Sequence, residues 1–73
     1  MQKYKDINND SGVEAYDIHE DSITVFFKGS PKPYKYSYAS AGIQNVEHMK
    51  KLAASGDGLN SFIMRNVKDK YVH

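Results

Sequence analysis

The stretch SITVFFKGSPKPYKYSYA, residues 22–39, contains two β-prone segments separated by a proline-rich loop. Residues 22–28 are rich in β-branched and aromatic side chains, which favour strands. Pro31 and Pro33 cannot donate a hydrogen bond to a neighbouring strand, so they interrupt the pattern before alternation resumes at Tyr34. This stretch therefore predicts two neighbouring antiparallel strands joined by a loop.

The flanking sequence extends these strands into an α+β domain. Residues 13–18 form another β-prone segment, joined to the next by a short polar turn, so we predict a three-stranded antiparallel meander. Apolar residues then recur at three- and four-residue steps, which is typical of helices with one apolar face. The two apolar stripes are Ile43, Val46, Met49, Leu52 and Ala53, and then Leu59, Phe62, Ile63, Val67 and Tyr71. We predict a β-β-β-α-α order, with both helices packed on one face of the sheet.

Polar residues and glycines mark the ends of the two predicted helices. Ser40 is placed to cap the first helix, and Asn60 is placed to cap the second. Gly56 or Gly58 supplies the positive φ angle that commonly ends a helix. Strand alternation and helical stripes together predict a core that contains Val25, Phe27, Met49, Leu52, Phe62 and Ile63.

Length and composition limit the class of protein. The 73 residues predict one domain, residues 11–73, after a polar lead-in at residues 1–10 that we expect to be frayed or weakly docked. With no cysteine, the chain forms no disulfide and no thiolate zinc site, which fits a reducing compartment. We find no signal-peptide pattern, and the longest apolar run, residues 25–27, is too short to span a membrane. We therefore expect a soluble cytoplasmic protein with no membrane partner.

The two parts of the chain carry opposite charge. Residues 1–27 hold two lysines against six acidic residues, net −4, and residues 28–73 hold eight Lys or Arg against three acidic residues, net +5. A basic C-terminal part is suited to an anionic partner. The alternative is ordinary charge balancing on a solvated surface, because segments distant in sequence often lie side by side.

The polar residues of the sequence form no catalytic or metal-binding pattern. His19, His48 and His73 are predicted in a turn, in a helix and at the terminus, without the spacing of a triad or a metal site. The GDG turn at residues 56–58 lacks the lysine and the preceding strand of a phosphate-binding loop. We therefore predict a protein that is not an enzyme and has no metal or cofactor.

Three alternating tyrosines pose the main functional question. Tyr34, Tyr36 and Tyr38 share one side of a predicted strand, because neighbouring side chains point to opposite faces. One interpretation places their rings under the helices with the hydroxyls at the rim. The other leaves them on an open face as a platform for stacking bases. On the first interpretation, the open face carries Thr24, Phe26, Lys28, Lys35 and Ser37.

Four short motifs follow one another along the chain: DSGVEAYD at residues 10–17, SITVFFK at 22–28, YKY at 34–36 and GDGLNSFI at 56–63. This ordered set resembles the KTSC domain, a module found at the C-terminus of some lysyl-tRNA synthetases and as a free-standing bacterial protein. The resemblance covers about residues 11–67, although this chain has an unusual proline-rich loop and no proline after the YKY segment. It implies a domain with no catalytic residues, for which RNA binding is suggested by the attachment to a synthetase.

Two functional hypotheses follow from these residues. The first is a module that binds RNA weakly, with phosphate contacts and base stacking. Its candidate residues are Lys28, Lys32, Lys35, Arg65 and Lys68 for phosphates, and Tyr34, Tyr36 or Phe26 for stacking. The alternative is a protein-interaction or self-associating module, because small domains without disulfides often need a partner chain.

Overall fold

Among the described residues, a four-stranded antiparallel sheet forms one layer of the protein. The computed structural model describes residues 2–5 and 12–72. The strands are β1 (Gln2–Lys3), β2 (Val13–His19), β3 (Ser22–Phe27) and β4 (Tyr34–Ser37), and each pairs with the next along the chain. The predicted α+β class and the meander of β2, β3 and β4 are confirmed. Within the part of the chain that the structure describes, β1 adds an edge strand to the three that were predicted.

The helical layer follows the sheet in the sequence. It contains α1 (Tyr38–Ala41), α2 (Ile43–Ser55) and α3 (Leu59–Phe62), and α3 continues into a π-helical turn (Ile63–Val67). Gly42 separates α1 from α2 with φ +96°, a backbone angle that residues with a Cβ rarely adopt. The first predicted helix is therefore two helices with a break. No helix within the described ranges, residues 2–5 and 12–72, is long and apolar enough to cross a membrane.

Part of the N-terminal lead-in, which we expected to be frayed or weakly docked, pairs with the sheet. Lys3 pairs with Ala15 in β2. Tyr4 is only 3% exposed, and its hydroxyl accepts a hydrogen bond from the Leu59 backbone nitrogen at 3.3 Å. The edge of β2 offers backbone partners and the core accepts one aromatic ring, which together outweigh the polar composition of the segment. Residues 1 and 6–11 lie outside the described residues.

The helix ends correct two of the predicted caps. Ser37, not Ser40, caps α1: the Ser40 backbone N–H donates to Ser37 Oγ at 3.1 Å, and the Ser37 N–H donates to Ser40 Oγ at 3.0 Å. This is a reciprocal capping box. Gly56 ends α2 in the left-handed conformation, as predicted. Asn60 does not cap α3, which starts one residue earlier, after Gly58, and has no side-chain cap.

The core lies between the sheet and the helices. Of the predicted core residues, Val25, Met49 and Ile63 are fully buried. The other three, Phe27, Leu52 and Phe62, are partly buried and pack against its margin. Other buried side chains are Val13, Ile23, Tyr36, Val46, Ala53, Leu59 and Val67. Ile43 is 60% exposed, because the helix break places it at the first position of α2, outside the packed stripe.

Candidate functional site

The pairing of β3 with β4 places two of the three tyrosines under the helices. Tyr36 lies opposite Ile23 and Tyr34 lies opposite Val25, so all four side chains share the covered face. Tyr36 is 1% exposed and Tyr34 is half-buried. The interpretation that places these rings on the covered face is therefore confirmed for Tyr34 and Tyr36. The prediction that Tyr36 stacks on bases from an open face is wrong, because its ring is enclosed by the core.

Tyr38 leaves the row because β4 ends at Ser37 and the chain turns into α1. Its hydroxyl lies 2.5 Å from Glu47 Oε2 and 3.0 Å from the Glu20 carbonyl oxygen. Lys50 donates to the same two groups at 2.9 and 3.0 Å. Hydrogen bonds from Tyr38 and Lys50 lower the pKa of the Glu47 carboxyl. This cluster ties α2 to the β2–β3 turn and is a structural contact.

An open cleft lies between β4 and the segment that follows the π-helical turn. Its volume is about 300 Å³. We call it the aromatic cleft, and it is lined by Phe27, Ser30, Tyr34, Tyr36, Met64, Lys68, Asp69 and Tyr71. The Val72 backbone N–H donates to the Lys35 carbonyl at 2.6 Å, which holds the last described residues along the outer edge of β4. This backbone contact brings Tyr71 next to the β4 tyrosines.

The rings of the aromatic cleft hold one another in fixed orientations. Tyr71 packs edge-to-face against Tyr34, with ring centroids 4.9 Å apart and an angle of 86° between the planes. It also meets Tyr36 at 6.3 Å and 81°, and Tyr34 meets Phe27 at 5.4 Å and 73°. Aromatic pairs prefer such arrangements, because the positive ring edge meets the negative face. The partly exposed rings of Tyr34 and Tyr71 therefore form a preorganised apolar surface at the cleft.

Charged side chains stand around these rings. The Lys32 ammonium lies 5.9 Å from the ring centroids of both Tyr34 and Tyr71, within the range of cation–π attraction. Lys68 and Asp69 line the cleft itself. Two cations and one carboxylate thus meet an aromatic surface at one place, which suits a flat group attached to an anion.

The predicted RNA-binding residues do not form one surface. Lys32, Tyr34 and Tyr36 come together at the aromatic cleft, and Lys68 joins them. Lys35 pairs with Thr24 and Phe26 pairs with Ala15, so both point to the opposite face of the sheet. Lys28 and Arg65 are exposed but do not line the cleft.

Sequence reasoning missed several residues that complete the aromatic cleft. Tyr71 was assigned to a helical stripe, but the helix ends before it and the residue folds back to β4. Nothing in the sequence indicated that Asp69 and Met64 belong to a site. Asp69 is simply polar, and Met64 lies off the apolar stripe of the predicted helix. Their placement depends on the backbone contact between Val72 and Lys35, and the local sequence pattern gives no sign of this contact.

The buried tyrosine at the floor of the cleft gives a pH-dependent prediction. Burial raises the pKa of the Tyr36 hydroxyl from 10.0 to about 12, with smaller contributions from Tyr34, Tyr71 and Asp69. The folded state holds this proton more tightly than the unfolded chain. The contribution to stability is therefore complete below the unfolded pKa of 10.0 and is lost as the pH rises through about 12. We expect the urea midpoint of Tyr36→Phe to fall less than that of the parent as the pH rises from 10.0 to about 12. Equal declines for parent and variant would contradict the assignment.

Comparison of the chain with protein-family models, with curated proteins and with solved structures gave no match. The resemblance to the KTSC domain therefore stays a prediction from the sequence motifs. Within residues 2–5 and 12–72, no group of three or more His, Cys, Asp or Glu side chains is placed to hold a metal ion. The geometry of the aromatic cleft is thus the main guide to function.

Proposed function

We propose that this domain is a non-enzymatic module that binds single-stranded or looped RNA weakly through the aromatic cleft. The observation that carries the proposal is the position of the Lys32 ammonium, 5.9 Å from the rings of both Tyr34 and Tyr71. An aromatic surface and a cation therefore lie within a few ångströms of each other. The resemblance to the KTSC domain, with its suggested link to tRNA chemistry, supports the same proposal.

Single-stranded RNA offers the chemistry that matches this arrangement. Its unpaired bases expose faces that stack on aromatic side chains, and each base is attached to a phosphate backbone that attracts lysine. On this proposal, one base enters the aromatic cleft against Tyr34 and Tyr71, while Lys32 and Lys68 contact the adjoining phosphates. Tyr36 forms part of the floor and does not stack, because it is buried.

The number of cations at the cleft predicts weak binding with a shallow dependence on salt. Lys32 and Lys68 lie at the cleft, and Lys28 and Lys70 are exposed nearby in the sequence. If about two to four phosphates are neutralised, the logarithm of the binding constant should fall with the logarithm of salt with a slope of about −1.4 to −2.8. Affinity in the micromolar range or weaker is expected.

The test is a titration of a labelled single-stranded oligoribonucleotide with the whole chain, followed by fluorescence anisotropy at low and at physiological salt. We expect saturable binding that weakens at higher salt. An RNA duplex of the same sequence is the matched control and should bind less well, because its bases are stacked inside the helix. Absence of binding to the single strand at low salt would refute the proposal.

One observation favours a protein partner as the alternative. Met64, which lines the aromatic cleft, is 46% exposed, and Val72, whose backbone N–H donates to the Lys35 carbonyl at the β4 edge, is also 46% exposed. Exposed apolar side chains at a cleft are common in protein-interaction sites. A module of this kind would bind its partner, or a second copy, through apolar contacts that change little with salt. Failure of RNA binding together with a concentration-dependent native mass would support this alternative.

A further inference from the structure

We propose that the aromatic cleft selects guanine among the RNA bases, with the Asp69 carboxylate accepting two hydrogen bonds from its Watson–Crick edge. This inference rests on the proposed function and specifies the ligand of the same cleft. It starts from a residue that the general RNA-binding proposal does not explain. An acidic side chain repels phosphate, yet Asp69 lines a cleft whose other charged groups are lysines.

On this proposal, Asp69 meets the edge of a base that stacks on the cleft tyrosines. It lines the cleft together with Tyr34, Tyr36 and Tyr71, and its charge contributes to the raised pKa of Tyr36. Among the described residues that line the cleft, it is the only carboxylate. Lys68 precedes it in the chain and lines the same cleft, so a strong acceptor and a strong donor are adjacent.

The chemistry of the bases then distinguishes guanine. An ionised carboxylate only accepts hydrogen bonds, and its two oxygens suit a pair of adjacent donors. Guanine presents such a pair in its ring N–H and its amino group, next to a carbonyl oxygen that a lysine can contact. Adenine and cytosine each place one amino group beside a ring nitrogen that would repel the carboxylate. Uracil has a single N–H between two carbonyl groups, so it also fits poorly.

Asp69 should therefore have opposite effects on the affinity for RNA without guanine and for RNA with guanine. Its charge repels every phosphate, but its two oxygens form a pair of hydrogen bonds only with the base that has two adjacent donors. Removing the charge should strengthen binding to RNA without guanine and weaken binding to RNA with guanine. A residue that acted only through net charge would shift both affinities in the same direction.

The experiment measures the binding of short, otherwise identical uridine-rich oligomers that carry guanine, inosine or adenine at one central position. We expect the parent protein to bind the guanine oligomer about five- to tenfold more tightly than the adenine oligomer. Inosine lacks the amino group and should lose most of this preference. Asp69→Asn should abolish the preference and bind the adenine oligomer at least as tightly as the parent. Since Asp69 is exposed, the variant should have the same melting temperature as the parent.

The matched control is Asp21→Asn, which makes the same change of charge at another exposed carboxylate. Asp21 lies before the start of β3, whereas the cleft residue Phe27 is at its end. The control should keep the guanine preference. Equal affinity of the parent for guanine and adenine, or a preference that survives in Asp69→Asn, would overturn the inference while RNA binding stands. Failure of every oligomer to bind would overturn the proposed function and this inference together.

Discussion

Ile63→Ala is expected to lower the free energy of unfolding by about 2 to 5 kcal/mol. Ile63 is fully buried at the start of the π-helical turn, and it belongs to the core between the helices and the sheet. Truncation removes apolar contacts and leaves a cavity that the neighbouring side chains cannot fully close. A domain of this size rarely has more than about 3 to 5 kcal/mol in total, so much of the variant should be unfolded.

The matched control for this change is Ile43→Ala, the same substitution at a residue that is 60% exposed. Ile43 is the first residue of α2, and alanine is a good helix former, so we expect a change within about 0.5 kcal/mol. Urea unfolding followed by circular dichroism measures both variants. Similar midpoints for the two would contradict the packing described for the π-helical turn. Phe62→Ala should fall between them, because Phe62 is only partly buried.

The second large effect concerns RNA binding. Lys32→Glu is expected to weaken binding of a single-stranded oligomer by about tenfold, which corresponds to about 1.4 kcal/mol. The substitution removes the ammonium that lies over Tyr34 and Tyr71, and it places a negative charge where the phosphate would approach. Lys32 is exposed, so the melting temperature should change little.

Lys35→Glu provides the control, since it makes the same charge reversal on the same segment but on the opposite face of the sheet. From the sequence alone, Lys35 is one of five candidate phosphate contacts. Its position opposite Thr24, away from the aromatic cleft, now predicts a smaller loss from its reversal. Anisotropy titrations of the two variants at one salt concentration decide between the faces. A greater loss of affinity for Lys35→Glu would indicate that RNA binds to the open face of the sheet.

Local periodicity was sufficient for the two layers of the fold. Alternation along β3 and β4 predicted that Ile23 shares a face with Val25 and that Tyr34 shares a face with Tyr36. The strand register shows that all four side chains lie on the covered face. Three- and four-residue spacing likewise predicted the buried residues of α2, α3 and the π-helical turn, which are Val46, Met49, Ala53, Leu59, Ile63 and Val67. These features follow from the geometry of a single element, because its apolar side must be buried.

Element ends and short elements were harder to predict. Both Ser37 and Ser40 are good capping residues, and the sequence does not say where the strand stops and the helix starts. The β1 strand has only two residues, too few to show any alternation. Its pairing depends on the edge of β2 and on the burial of Tyr4 near Leu59, both of which exist only in the folded chain.

The aromatic cleft depends most on long-range contacts. Tyr34 and Tyr36 could be placed on a face from their alternation, but nothing near them in the sequence indicates that Tyr71 and Asp69 complete the site. That meeting requires the chain to leave the π-helical turn and return to the β4 edge, where Val72 donates to Lys35. Such contacts follow from the packing of elements distant in sequence, which local pattern does not encode. The sequence thus predicted that Tyr34 and Tyr36 share one face, whereas the tertiary structure decided that this face is covered and brought Lys68, Asp69 and Tyr71 to it.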